Sequence, residues 1–269
     1  MSVNSRRNKI IGPALSTGLL LSPMKNYETL KATGAVRIID RHSSFFAIDF
    51  EQDNPEAGIL LIDGGVHKEG KELKIHLAKR GLGLGAVRAF ALTHGGHFDH
   101  KGVLHVLPSS VRTIMGEGDI AAIRGLRNSE GLIPGVIDRA RGLIKRPPMG
   151  VVKRLVPEIA RDRQEFRFGE LALTALAVPG HTSGSMGYLV RRGGVDQPTD
   201  FFPGDSFDFN RKGRIRDAAG IFTGDRALSV VSKNNIAAVV TEMNLIYGEI
   251  APSHSGLGRY DELIEIAAV

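Results

Sequence analysis

The chain contains no cysteine, and that absence constrains its fold and its chemistry together. No disulfide can staple it, so the fold must stand on an apolar core. A cysteine-ligated zinc finger, an iron–sulfur cluster and a thiolate nucleophile are all ruled out. Any metal has to be held by histidine, aspartate, glutamate or backbone oxygen. With 269 residues, 42% of them hydrophobic, the chain is long enough to bury such a core; a domain of this size removes roughly three quarters of its surface from water. No internal repeat, low-complexity tract or linker interrupts it, so residues 1–269 read as one domain. No apolar run reaches the ~20 residues of a membrane-spanning helix.

Strand and turn signals dominate the first third. Val36–Asp40, Phe45–Phe50 and Gly58–Ile62 are short apolar or alternating runs between polar loops. Glu69–Arg80 reads as a helix closed by Gly81, and Val87–Leu92 as a buried strand. The segment from about 115 to 162 reads as a helical insertion, with helices at Gly118–Arg127 and Leu132–Lys145. Strands return at Glu165–Phe168 and Leu171–Val178. Ile236, Val239, Val240, Met243 and Ile246 then recur at helical spacing, which predicts a helix ending at Gly248. Residues 1–30 read as an extension. Arg6, Arg7 and Lys9 precede an apolar stretch, Ile10 to Leu21, that Gly12, Pro13 and Gly18 interrupt. A basic tail on a cytoplasmic protein is preferred there to a secretory signal.

The chemistry concentrates at strand ends. Val87–Leu92 runs into Thr93-His94-Gly95-Gly96-His97-Phe98-Asp99-His100. Two imidazoles and a carboxylate in His97-x-Asp99-His100 cannot share one face of a strand or helix. On a glycine-rich loop they can converge on a metal ion. His181 follows Val-Pro-Gly, Asp205 follows Phe-Phe-Pro-Gly, and His254 follows Ala-Pro-Ser. Together these residues form an all-His/Asp donor set, which a cysteine-free metal site requires. Among the nine histidines, His42, His67, His76 and His105 have no such company, although His67 is close enough to Asp63 to reach a site mouth.

The order of these motifs resembles the metallo-β-lactamase-fold hydrolases. The family pattern is an Asp-Gly pair, T-H-x-H-x-D-H-x-G, G-H-T, G-D and a late P-x-H. Here it meets Asp63-Gly64, Thr93 to Gly102, Gly180-His181-Thr182, Gly204-Asp205 and Pro252-Ser253-His254. The resemblance spans about residues 36–265 and implies a four-layer αββα sandwich. It implies that His94, His97 and His181 hold one metal, that Asp99, His100 and His254 hold a second, and that Asp205 bridges them. Asp63 would orient a ligand. The implied cofactor is zinc, two per chain, with iron or manganese as alternatives. The implied activity is a hydrolase that draws hydroxide from metal-acidified water, with Asp99 handling the proton.

One departure stands out. The family has one residue between its first two histidines, and this chain has Gly95 and Gly96. Either the loop bulges and His94 still reaches the metal, or the first site has lost a ligand. Two glycines favour the bulge, because both can adopt positive φ.

The substrate is less constrained. One branch of β-lactamases carries cysteine where Asp205 stands and another lacks the bridging aspartate, so Asp205 points away from a dedicated β-lactamase and toward the wider hydrolase family; the leading reading is an ester, lactone or thioester as substrate. Only fifteen residues follow His254, too few for the helical domain of glyoxalase II-like thioesterases. Ser206, Phe207 and Asp208 stand where lactone-cleaving relatives often have a tyrosine. A phosphodiesterase, a mononuclear iron dioxygenase and a non-catalytic metal-binding protein with an impaired first site remain as alternatives. The formal charge of +6 and the basic residues between Arg124 and Arg163 allow a small anionic substrate. Without interleaved aromatics they do not point to nucleic acid.

Overall fold

A computed structural model describes residues 27–126, 128–143, 152, 156–217 and 221–267. The basic stretch before residue 21 and the end of the expected helix at Lys145 lie outside them. Alternation with period two builds the first sheet. In β3 (Ser43–Glu51) Phe46 and Ile48 face one side and Phe45 and Ala47 the other; in β4 (Asn54–Ile62) Leu60 and Ile62 oppose Ile59 and Leu61. With β1 (Tyr27–Thr29), β2 (Val36–Asp40), β5 (Val87–Ala91), β6 (Arg112–Met115) and β7 (Glu158–Ile159) they form a seven-stranded sheet in sequential order. Pairing is antiparallel from β1 to β4 and parallel from β4 to β7.

The second sheet holds β8 (Glu165–Phe168), β9 (Leu171–Ala177), β10 (Met186–Arg192) and β11 (Thr199–Phe202). A hairpin of β12 (Phe207–Phe209) and β13 (Ile215–Asp217) follows, and β14 (Tyr247–Ile250) adds in parallel beside β11. The order is β14-β11-β10-β9-β8. The sheets face each other over Phe46, Ile48, Leu60, Leu173, Tyr188 and Phe202. Burying each large side chain contributes roughly 1.5–3 kcal/mol.

Helices cover the outer faces. Leu73 and Leu77 of α1 (Lys71–Ala78) pack on the first sheet. After α2 (Ile120–Ile123) and α3 (Leu132–Leu143) comes α4 (Arg226–Glu242), which lays Ile236, Ala237 and Val240 on the second sheet beside Leu263 of α5 (Tyr260–Ala267). The result is the expected αββα sandwich.

Two local expectations change. The helix expected over Gly118–Arg127 is a 3₁₀ turn, Glu117–Asp119, followed by the single turn of α2. The residues at its start fold into the sandwich, and Asp119 is fully buried. The helix expected to run to Gly248 stops at Glu242, because Asn244 turns left-handed at φ 47°. Gly248 belongs to β14, where a β-carbon would meet the Thr199 carbonyl at 2.9 Å. Three strands of the second sheet, β10, β11 and β14, carry no signal strong enough to be read beforehand.

Candidate metal centre

Strand direction gathers the site. β4, β5, β9, β11 and β14 all end at the same edge of the sandwich, and each is followed by a loop carrying a site residue. Asp63 follows β4 in a left-handed conformation, φ 59°. That strained backbone turns its carboxylate inward, where it accepts the Thr93 amide at 2.8 Å, the Thr93 hydroxyl and His100 Nδ1 at 2.9 Å. Tyr188 donates its hydroxyl to the Leu92 carbonyl at 2.9 Å, and the Met186 amide donates to Thr93 O at 2.7 Å, so the second sheet holds the end of β5.

The expected residues converge. His94, His97, His181 and Asp205 each offer a donor atom, and these atoms lie within 4.8 Å of one another. His100, Asp205 and His254 form a second such group, and His94, Asp99 and His100 a third. Asp205 lies between, with Oδ1 3.3 Å from His100 Nε2 and Oδ2 3.0 Å from His254 Nε2 and 3.5 Å from His181 Nε2.

His94 turns into the cluster despite the extra glycine, though not for the reason the sequence suggests. Neither Gly95 nor Gly96 has positive φ. Both are needed for space. A β-carbon on Gly96 would meet Thr182 Cγ2 at 2.6 Å, and one on Gly95 would meet Met115 and Asp119 near 3 Å. Asp119 fastens the bulge: it accepts the Gly95 amide and the Thr182 hydroxyl, both at 2.7 Å, and so joins the His94–His100 loop to the His181 loop. Buried Lys101 donates to the Gly95 carbonyl at 2.6 Å.

The outer nitrogens settle which ring atoms face inward. His97 Nε2 donates to the Glu130 carbonyl at 3.1 Å, and His254 Nδ1 to the His42 carbonyl at 2.6 Å. His100 Nδ1 donates to Asp63. Each acceptor holds a proton on the outer nitrogen and turns the other nitrogen toward the cluster. His94 Nδ1 and His181 Nδ1 meet the hydroxyls of Thr93 and Thr223. Burial, joined by His97 and His100 and opposed by Asp205, pushes His181 down to about 3. Burial and the neighbouring His100 likewise hold His94 well below its ordinary range. Burial opposes charge on His100 and Asp205 too, but their mutual attraction wins: His100 is raised and Asp205 lowered. Asp205 lifts His254 to about 9 against its burial. Asp205 thus draws positive charge toward itself, while burial keeps His94 and His181 uncharged.

A metal ion fits that demand. His94 Nε2, His100 Nε2, Asp99 Oδ1 and Asp205 Oδ1 are buried and make no hydrogen bond. Unpaired buried polar atoms are uncommon, and a cation among them would satisfy all four.

A model of the metallo-β-lactamase superfamily matches residues 43–248. The chain belongs to the metallo-β-lactamase superfamily. It is a metal-dependent hydrolase of that superfamily, with a His/Asp cluster for its metal. A search of curated proteins finds no significant match. Among solved structures, the Rm3 metallo-β-lactamase is 20% identical, covering 85% of this chain and 78% of its own, with a TM-score of 0.59. A B3 metallo-β-lactamase with an active-site glutamic acid is 17% identical over 90% and 86%, TM-score 0.61. BJP-1, a subclass B3 enzyme of Bradyrhizobium japonicum, is 17% identical over 85% and 77%, TM-score 0.59. At these identities the likeness is one of fold.

Two histidines fall elsewhere than the sequence suggested. His42 does have site company: its ring stacks 6.0 Å from His254, and its Nε2 lies 3.6 Å from Asp99 Oδ2. His67 binds Asp40, not Asp63. Asp40 also accepts the Val66 and His67 amides and so shapes the loop after Asp63. Asp40, Asp119, Glu130 and Thr223 support the site without any motif; only the fold brings them near it.

Proposed function

We propose that the cluster holds two zinc ions and hydrolyses an ester, lactone or thioester. His94, His97 and His181 would hold the first ion, and Asp99, His100 and His254 the second, with Asp205 shared. Ring orientation carries this assignment, since five imidazoles turn a nitrogen inward toward two carboxylates. When bound, the metals supply Lewis acidity toward the scissile carbonyl oxygen and acidify water.

The chain's own groups do the rest. Asp63 orients His100 so that Nε2 faces the ions, and the Glu130 and His42 carbonyls orient His97 Nδ1 and His254 Nε2 in the same way. Asp99 Oδ2 lies 3.6 Å from both His42 Nε2 and His254 Nε2, at the rim. There it takes the proton of the attacking water and returns it to the leaving oxygen or sulfur. Asp205 favours an ester or thioester over a β-lactam, although the similar folds named above are β-lactamases.

Metal analysis of protein purified without chelator is expected to find two zincs per chain. Turnover is expected on a lactone, an ester or a thioester within a panel that also holds a phosphodiester and a β-lactam. One zinc with no turnover on the panel overturns the proposal. One iron with oxygen consumption replaces it with the dioxygenase.

A further inference from the structure

A cavity of about 800 Å³ opens against His254. Its other wall is the tip of the β12–β13 hairpin, which contributes Arg211, Lys212, Arg214 and Arg216. Small-molecule sites commonly measure ~300–1,000 Å³. Arg216 lies 3.5 Å from Asp208. Arg211, Lys212 and Arg214 are exposed, and none of them is within 4 Å of a carboxylate among the described residues.

Hydrogen bonds fix the backbone that carries these cations. Asn210 Oδ1 accepts the Lys212 and Arg214 amides at 2.8 and 3.2 Å, and Gly213 turns the tip at φ 78°. The Phe209 amide donates to Ser255 Oγ at 3.0 Å, fastening the hairpin to the loop that carries His254. A substrate at the metal centre that extends past His254 therefore meets this cationic hairpin.

We infer that this cavity is a subsite for an anionic group of the substrate, a carboxylate or phosphate, bound by Arg211, Lys212 and Arg214. The inference rests on the hydrolase reading above and names its substrate class. Guanidinium forks and an ammonium suit either anion. The basic segment between Arg124 and Arg163 is a weaker candidate, because Arg163 is paired with Glu242 on the surface.

The test uses zinc-loaded protein and two esters of equal acyl length as probes: 4-nitrophenyl hemisuccinate and the uncharged 4-nitrophenyl butyrate. Wild-type protein is expected to prefer hemisuccinate. In Arg211→Glu/Arg214→Glu the ratio of their kcat/KM values falls about tenfold or more, mainly through KM. Lys71→Glu, a charge reversal on α1, keeps the ratio within about twofold. An unchanged ratio in the double variant overturns the subsite. If wild-type protein cleaves neither ester, ester hydrolysis fails separately, and calorimetric titration of succinate, inorganic phosphate and succinamide decides the subsite. The double variant must then bind succinate or phosphate about tenfold more weakly, with succinamide binding nowhere near as tightly to wild type. Equal anion binding by variant and wild type overturns it.

Discussion

Gly96 shows how a single residue sets the metal loop. Its missing side chain leaves room for Thr182 Cγ2, so Gly96→Ala is expected to destabilise by about 1–3 kcal/mol in urea unfolding. Thr182→Ser removes that methyl and keeps the hydroxyl that bonds Asp119. Adding it to Gly96→Ala is expected to recover at least half of the loss, and no recovery would show the strain lies elsewhere. Asp119 is the tie between loops. Asp119→Ala leaves the Gly95 amide and Thr182 hydroxyl without their acceptor, at about 2–4 kcal/mol. Zinc content measured by elemental analysis is expected to drop toward one per chain, as it is for His94→Ala. Full zinc retention in Asp119→Ala would show that the bulge holds itself.

At the scale of an element, α1 carries a pH dependence separate from the metal centre. His76 packs inward at 7% exposure, and burial, with Arg80 beside it, lowers its pKa from 6.5 to about 4. The unfolded chain protonates this ring first as pH falls. Stability from His76 is therefore complete above pH 6.5 and is lost on the way down to about 4. His76→Gln is expected to flatten that acid limb by about 1–2 kcal/mol, read from urea midpoints across the window. Parallel curves for the two proteins would remove His76 as the cause. The ends of elements were the least legible feature beforehand. The apolar positions of α4 do continue past Glu242, but the left-handed turn at Asn244 and the pairing of β14 with β11 override that periodicity.

Over the whole molecule, the metal loops are crossing points between the two sheets. Asp63 comes from the first, His181, Asp205 and His254 from the second, and Ser44 of β3 donates its amide to the Ser253 carbonyl at 2.7 Å. Ions bound there favour the folded state through their affinity. Chelation is expected to lower the melting temperature by at least about 5 °C, since a domain this size shifts ~2–4 °C per kcal/mol. Zinc should restore it. A melting temperature indifferent to chelator would argue against ions at this position.

The donor chemistry was legible in the residues alone, and the sandwich only through the motif order that resembles the metallo-β-lactamase family. With no thiol available, imidazole and carboxylate were the ligand types left, and their placement after short apolar runs put them at strand ends. Period-two burial in β3 and β4 was equally visible. Tertiary structure alone decided how His94 reaches the cluster, which nitrogen each histidine turns inward, and where cations stand near the site. Those outcomes depend on contacts between residues far apart in the chain, such as Asp119 with Gly95 and Thr182, or Phe209 with Ser255. Local spacing carries no record of such pairs, because the energy that fixes them arises only once the two sheets have packed.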